Sequence, residues 1–340
     1  MTNWNEFERS AIILSVTALL AMKCREQYMA RLASRYPNVS DSRNVTEDVF
    51  TSRLHNDISY RHMGDPQSED VFVLLHGLGV SSTTLMYFAE RILRAHPDSW
   101  VIVPDRAGYR RSRVGAMEPF NLREPVADLA DLLRARVGER RAVTLIGHSL
   151  GGLIAQRLAE EEPGLVHRLI LLEPTHPHEA RQSPVKRRGV LFTTMDIEQT
   201  APLMSWGAAA LLNEYEGYRG WRRQWRKTPP SQPWIPLIAA EREIGRTWRA
   251  FAREWRYLSP WFLDGTASLP RLPEGLEAHL FISSDTRDGL KETDQLSLLD
   301  SIAPGCTIHD VPDSNHHLMV MNCTPVEHIV RLITSSKVGA

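Results

Sequence analysis

Residues 142–161 read AVTLIGHSLGGLIAQRLAEE. An apolar run of strand character ends at Gly147-His148-Ser149-Leu150-Gly151-Gly152, and from there apolar residues recur at helical spacing. Such a turn is so tight that the serine must take a strained backbone conformation, and the glycines beside it keep other side chains from colliding. The hydroxyl then stands clear at the carboxyl end of a sheet, above a helix N-terminus that favours developing negative charge. A strand, Gly-x-Ser-x-Gly and a helix in that order form a nucleophile elbow.

The rest of the chain supplies the sheet that an elbow needs. Strands are predicted at 57–65, 70–77, 100–106 and 167–174, with helices at 82–95 and 121–137; Leu122, Val126, Leu129, Leu133 and Val137 line one side of the latter. The polar, turn-rich stretch 36–48 reads as a linker. The strand–helix rhythm breaks near 175 and resumes with a strand at 278–285, a helix near 291–302, a strand at 306–311 and a last helix at 317–334. This order predicts an α/β fold with a doubly wound, mostly parallel sheet. The domains expected are an N-terminal helix and linker (1–50), a core (51–174 and 273–340) and an inserted helical cap (175–272).

The N-terminal segment AIILSVTALLAM (11–22) is apolar but short: twelve residues against the roughly 20 that span a bilayer. Glu6 and Glu8 precede it, where a secretory signal would be basic. Ile12, Val16, Leu19, Leu20, Cys24, Tyr28 and Leu32 fall near one stripe, so a long helix packed on the body or on a partner subunit is expected; an interfacial membrane helix ahead of Lys23 and Arg25 is the other reading. Cys24, Cys306 and Cys323 are few and far apart and read as free thiols in a cytoplasmic, reducing setting. A net charge of −1 gives no sign of nucleic acid as a partner.

An acyl-transfer site needs an oxyanion hole, a base and an acid besides the nucleophile. HGLG (76–79) follows a predicted strand, and its glycines free the backbone to turn amides inward; the N–H groups of Leu78 and Leu150 are the expected hole. His76, Gly77 and His148 stand beside these amides and are expected to touch substrate. The base is expected after the last strand, in DVPDSNHHLMV (310–320), where His316 is the choice over His317. Three carboxylates are open for the acid. Asp288, in FISSDTRDGL (281–290), is the expected one; Asp285 in the same loop and Glu173, at the end of the strand leading into LLEPTHP, are the alternatives.

With HGLG, DRAGYRRS (105–112), GHSLGG and DSNHH in this order, the chain resembles the α/β-hydrolase superfamily, of the capped type that includes esterases, lactonases, haloperoxidase-like enzymes and carbon–carbon bond hydrolases. The resemblance implies eight strands, a lid inserted after the sixth, and catalytic residues in the order Ser…Asp…His. Two positions depart from it: Arg110 stands where a glycine is usual in the second box, and Asn315 where glycine often precedes the base. Ser149 sets the chain apart from the relatives that use an aspartate nucleophile.

The insertion is rich in tryptophan and positively charged. Seven of the nine tryptophans lie between 206 and 261, and 181–260 holds 14 Lys and Arg against 7 Asp and Glu. Trp206, Trp221, Trp225 and Trp248 are candidates for roofing an apolar or aromatic small-molecule substrate; the bland alternative is that tryptophans fill a thin cap. The expected activity is cleavage of an ester, thioester or lactone, with a carbon–carbon bond hydrolase, an acyltransferase or cyclase, and a non-catalytic ligand sensor as rivals. No metal or organic cofactor is implied.

Overall fold

The computed structural model describes residues 6–35, 45–138, 141–182, 184–209, 230–264, 268–286 and 305–335. Strands β1 (Thr46–Thr51), β2 (Asp57–Gly64), β3 (Val71–Leu75), β4 (Trp100–Pro104), β5 (Val143–His148), β6 (Val166–Leu172), β7 (Glu277–Ser283) and β8 (Thr307–Val311) form one sheet in the order β1-β2-β4-β3-β5-β6-β7-β8. From β4 to β8 every pairing is parallel; β1 and β2 enter antiparallel. The expected doubly wound, mostly parallel eight-stranded sheet is therefore the fold. Its first strand lies partly in the stretch read as a linker, so the core begins before residue 51. TEDVFT has two apolar residues, Val49 and Phe50, pairs only with β2, and buries none of its residues fully, so it carries no apolar run to read.

The helices are α1 (Glu6–Arg35), α2 (Met86–Ala95), α3 (Arg123–Arg136), α4 (Leu150–Glu161), α5 (Glu179–Gln182), α6 (Pro184–Leu203), α7 (Ile235–Arg242), α8 (Gly245–Asp264), α9 (Leu318–Met321) and α10 (Cys323–Ser335). Alternation along each strand sends side chains to opposite faces. Val71, Val73 and Leu75 of β3 join α3 and α4 in one core, with Leu129, Leu133, Leu153 and Leu158. Phe72 and Leu74 join α2 and α10 in the other, with Phe88, Ile92, Ile329 and Ile333. Each such fully buried side chain contributes about 1.5–3 kcal/mol. Burial on both faces is why these strands read as continuous apolar runs.

The interval between β6 and β7, where the cap is expected, carries α5 to α8. Trp234 and Trp255 are buried in it: the Trp234 indole donates to Glu90 on α2 (3.1 Å) and that of Trp255 to Thr194 on α6 (3.1 Å). The expected α1 forms, but not with the expected face inward. Ile12, Val16, Leu19, Leu20, Cys24 and Tyr28 are exposed, and contact is made further along, where Met22 packs on Met204, Ala208 and Ala209 and Glu26 accepts the Gly245 N–H (2.7 Å).

Helix α4 packs hard against β3 because Gly151 has no side chain. A Cβ there would stand 2.2 Å from the Leu75 carbonyl oxygen and 2.8 Å from that of His76. Gly151→Ala is expected to cost about 1–3 kcal/mol through overpacking, read as a lower urea midpoint at unchanged slope.

Candidate active site

Ser149 sits at φ 54°, ψ −121°, in the strained conformation the elbow demands. Its N–H donates to Leu172 O (3.1 Å) and its carbonyl accepts from Thr175 N–H (3.0 Å), so the ends of β5 and β6 hold the turn from both sides. Side chains are excluded around it: a Cβ on Gly147 would lie 2.5 Å from Gly151 O, and one on Gly152 would lie 2.7 Å from Pro174 Cβ.

His316 follows β8. Asp313, at φ 50°, makes a left-handed turn in the loop ahead of it. Asn315 caps α9, its Oδ1 accepting from the N–H groups of His317 (3.1 Å) and Leu318 (3.0 Å). Nδ1 of His316 lies 2.8 Å from Oε2 of Glu173, and Oε1 of Glu173 accepts from both the N–H (2.8 Å) and the hydroxyl (2.5 Å) of Ser283 at the end of β7. The nitrogen expected to face Asp288 is thus taken by Glu173. Asp288 lies outside the described residues. Asp285 is tied through its own N–H to Ser314 O (3.1 Å) and holds no nitrogen of His316. Glu173 reaches the imidazole because it too adopts positive φ (43°), which swings its longer side chain across the ends of β6 and β7. Burial alone would raise its pKa, but the hydrogen bond and charge of His316 and the two bonds from Ser283 outweigh it and hold the carboxyl at about 2.

The imidazole has a second tether. His148, one residue before the serine, donates from Nε2 to the carbonyl of His316 (2.7 Å), with the rings 4.8 Å apart. Burial, and then the nearby His316, depress His148 to about 3, so it is the neutral tautomer that donates. The Ser149 hydroxyl lies 3.5 Å from that of Thr175 and makes no hydrogen bond to His316. Catalytic hydrogen bonds in ligand-free sites are commonly open in this way and tighten with substrate.

Across the elbow, the amides of Leu78 and Leu150 donate to no described residue. The loop carrying Leu78 is braced from behind. His76 is buried and neutral, donating from Nδ1 to Gly77 O (3.0 Å) and accepting the Arg106 N–H at Nε2 (3.2 Å); burial holds its pKa well below the ordinary value. With both ring nitrogens spent on backbone, His76 shapes the loop. The Arg106 guanidinium donates to His76 O (2.5 Å) and Gly77 O (2.9 Å) and pairs with Glu254 of α8 (2.6 Å). Tyr109 accepts the Gly79 N–H (3.1 Å) and donates to the same carboxylate (2.7 Å).

The departure at Arg110 has a structural reason. Arg110 takes the left-handed φ (45°) that a glycine would take, and its buried guanidinium faces Asp105 (3.1 Å), Glu47 (3.1 Å) and Glu241 of α7. Helix α7 is tied to the loop after β4 through this residue.

The tryptophans divide. Trp206 is 63% exposed, Trp248 packs toward Met22 and Met204 with its indole donating to Arg242 O (2.9 Å), and Trp221 and Trp225 lie outside the described residues. From α8, the aromatic side chain that reaches the loop carrying Leu78 is Phe251, between Trp248 and Trp255, whose ring would meet a Cβ on Gly79 at 3.4 Å. Phe251 is not among the residues expected from the sequence to touch substrate. Among the described residues, no group of three or more His, Cys, Asp or Glu is placed to hold a metal ion.

The model of the Alpha/beta hydrolase family matches residues 72–326, from β3 through α10's first turns. The chain belongs to the alpha/beta hydrolase family. It is 39% identical over 98 residues to the magnesium-chelatase 30 kDa subunit of Rhodobacter capsulatus, 29% of this chain and 33% of that one. It is 30% identical over 119 residues to the pimeloyl-[acyl-carrier protein] methyl ester esterase of Pseudoalteromonas atlantica, 35% and 42% of the two chains. The chain thus spans less than half the length of these curated relatives. The Cif epoxide hydrolase from Acinetobacter nosocomialis superposes with a TM-score of 0.65 at 14% identity, covering 90% of this chain and 95% of that one, a likeness of fold.

Two outcomes follow from the site's electrostatics. Glu254→Ala leaves Arg106 charged and buried without its carboxylate, and is expected to destabilise the protein by about 3–5 kcal/mol, measured by urea unfolding. Glu173 titrates at about 2 in the fold against an ordinary value of 4.5, so its stabilising contribution is complete above pH 4.5 and disappears as pH falls toward 2. The stability gap between the native protein and Glu173→Gln should therefore narrow through that window, as measured by unfolding midpoints.

Proposed function

We propose that this protein is a serine hydrolase that cleaves an ester, thioester or lactone, with Ser149 as nucleophile, His316 as base and Glu173 as the acid. The observation that carries the reading is the bond from His316 Nδ1 to the buried, ionised carboxylate of Glu173, on the far side of the imidazole from the proton it must accept. That bond fixes the tautomer whose Nε2 is free of hydrogen. Rotation of the Ser149 hydroxyl toward Nε2 lets the imidazole take its proton as Oγ attacks the carbonyl carbon. The imidazolium formed is stabilised by Glu173, and the amides of Leu78 and Leu150 receive the oxyanion. His316 then gives the proton to the leaving group. Water, deprotonated by the same nitrogen, attacks the acyl-enzyme and releases the acid and Ser149.

Support for an ester comes from the methyl ester esterase relative and from the serine at the elbow. An apolar acyl group suits Phe251 beside the oxyanion loop.

Intact mass after treatment with a fluorophosphonate should show one adduct on the native chain and none on Ser149→Ala. With nitrophenyl esters, Glu173→Gln is expected to lower kcat by roughly 10²–10⁴-fold, while Asp288→Asn leaves it unchanged. The opposite ranking of the two carboxylate variants would return the acid to the loop after β7. An unlabelled native chain would remove Ser149 as a nucleophile.

A further inference from the structure

Eleven consecutive residues of α1, Ala11 to Ala21, are exposed. At 3.6 residues per turn they cover every face of the helix, so roughly 16 Å of it projects clear of the body. None of the eleven is charged; Ile13 and Leu14 are 65% and 70% exposed, with Ile12, Val16, Leu19 and Leu20 around them. The polar side chains in the stretch, Ser15 and Thr17, donate back to the carbonyls of Ala11 and Ile13, each at 2.8 Å. The rod therefore offers hydrocarbon on all sides, with its hydroxyl hydrogens already satisfied. A second copy of the chain packed on one stripe would leave the other faces in water. Lipid covers all of them.

A second apolar surface adjoins this one. Val185, Phe192, Met195, Leu203 and Trp206 fall on one face of α6 and the π-helical turn that continues it, and all are exposed, Phe192 to 74%. Lys186, Arg187 and Arg188 lie exposed at the start of that helix. The turn, Met204–Ala208, is where Met22 of α1 docks, so the two apolar surfaces meet there. An apolar helix face carrying an exposed tryptophan and bordered by cations matches the boundary between acyl chains and anionic headgroups. Among the described residues no helix is long and apolar enough to cross a membrane, so the contact is interfacial.

We infer that α1 and α6 together form a docking surface for an anionic lipid bilayer, with residues 11–21 among the acyl chains and Lys186, Arg187 and Arg188 on the headgroups. The inference does not depend on the catalytic reading, because binding is measured without turnover.

The full-length protein is floated on sucrose gradients with phosphatidylcholine vesicles and with vesicles that also contain phosphatidylglycerol. The native chain and Ser149→Ala should float with both, and more with the anionic ones. Leu14→Glu combined with Leu20→Glu should stay at the bottom with either, at a circular-dichroism spectrum and unfolding midpoint matching the native chain. Reversing Lys186, Arg187 and Arg188 to Glu should weaken partition onto anionic vesicles on the order of a hundredfold at low salt, and added salt should erase the difference. A native chain that fails to float overturns the inference. So does a lipid-free dimer by light scattering that Leu14→Glu and Leu20→Glu dissociate, because a second copy would then be what covers α1.

Discussion

One buried carboxylate joins three parts of the chain that are far apart in sequence. Glu173 gives one oxygen to Ser283 at the end of β7 and the other to His316 in the loop after β8, while its own backbone continues β6 beside the elbow strand. Removing it would leave the buried Ser283 amide with nothing to accept its hydrogen, a cost of about 1–3 kcal/mol, and would release the imidazole from its partner. The same bonds that fix the histidine's orientation thus also close the carboxyl edge of the sheet. Structure and chemistry are difficult to separate at this point of the molecule.

Around that centre, charge is arranged in pairs. Arg106 and Arg110, four residues apart in the loop after β4, each hold a carboxylate from the cap, Glu254 and Glu241. Ion pairs of this kind add little net stability relative to apolar packing, but breaking one strands a charge and is expensive. Their value lies in fixing geometry. Arg106 also grips the carbonyls of His76 and Gly77, so the position of α8 is transmitted to the loop that carries Leu78. The excess positive charge of the cap is consequently spent in part inward, on the body, as well as outward on α6.

Much of this was legible in the residues. A tight strand-to-helix turn has strict steric requirements, and glycines at 147, 151 and 152 announce it; the doubly covered strands announce themselves by apolar runs. A histidine after the last strand follows from the topology. The bond from His316 to Glu173 did not follow, because what brings this carboxylate to the imidazole is a backbone dihedral of 43° and the adjacency of β6 to β7, and neither leaves a periodic trace. An acidic residue ending an otherwise apolar strand, just ahead of Pro174, was the available signal. Strand β1 escaped for a related reason: an edge strand with one neighbour needs no apolar run. The helical period of α1 was read correctly and its buried face was not, since a stripe of apolar residues carries no record of whether anything packs on it.

Besides His55 between β1 and β2, four non-glycine residues among those described hold positive φ values in loops at the rim of the sheet: Arg110, Ser149, Glu173 and Asp313. Each such conformation stores on the order of 1–3 kcal/mol. Random variation screened only for heat resistance would therefore favour glycine at these positions, releasing the stored energy step by step. Every step would also discard a hydroxyl, a carboxylate, a cation or a turn that the cleft depends on. For this molecule, durability and competence pull in opposite directions at four known places on the chain.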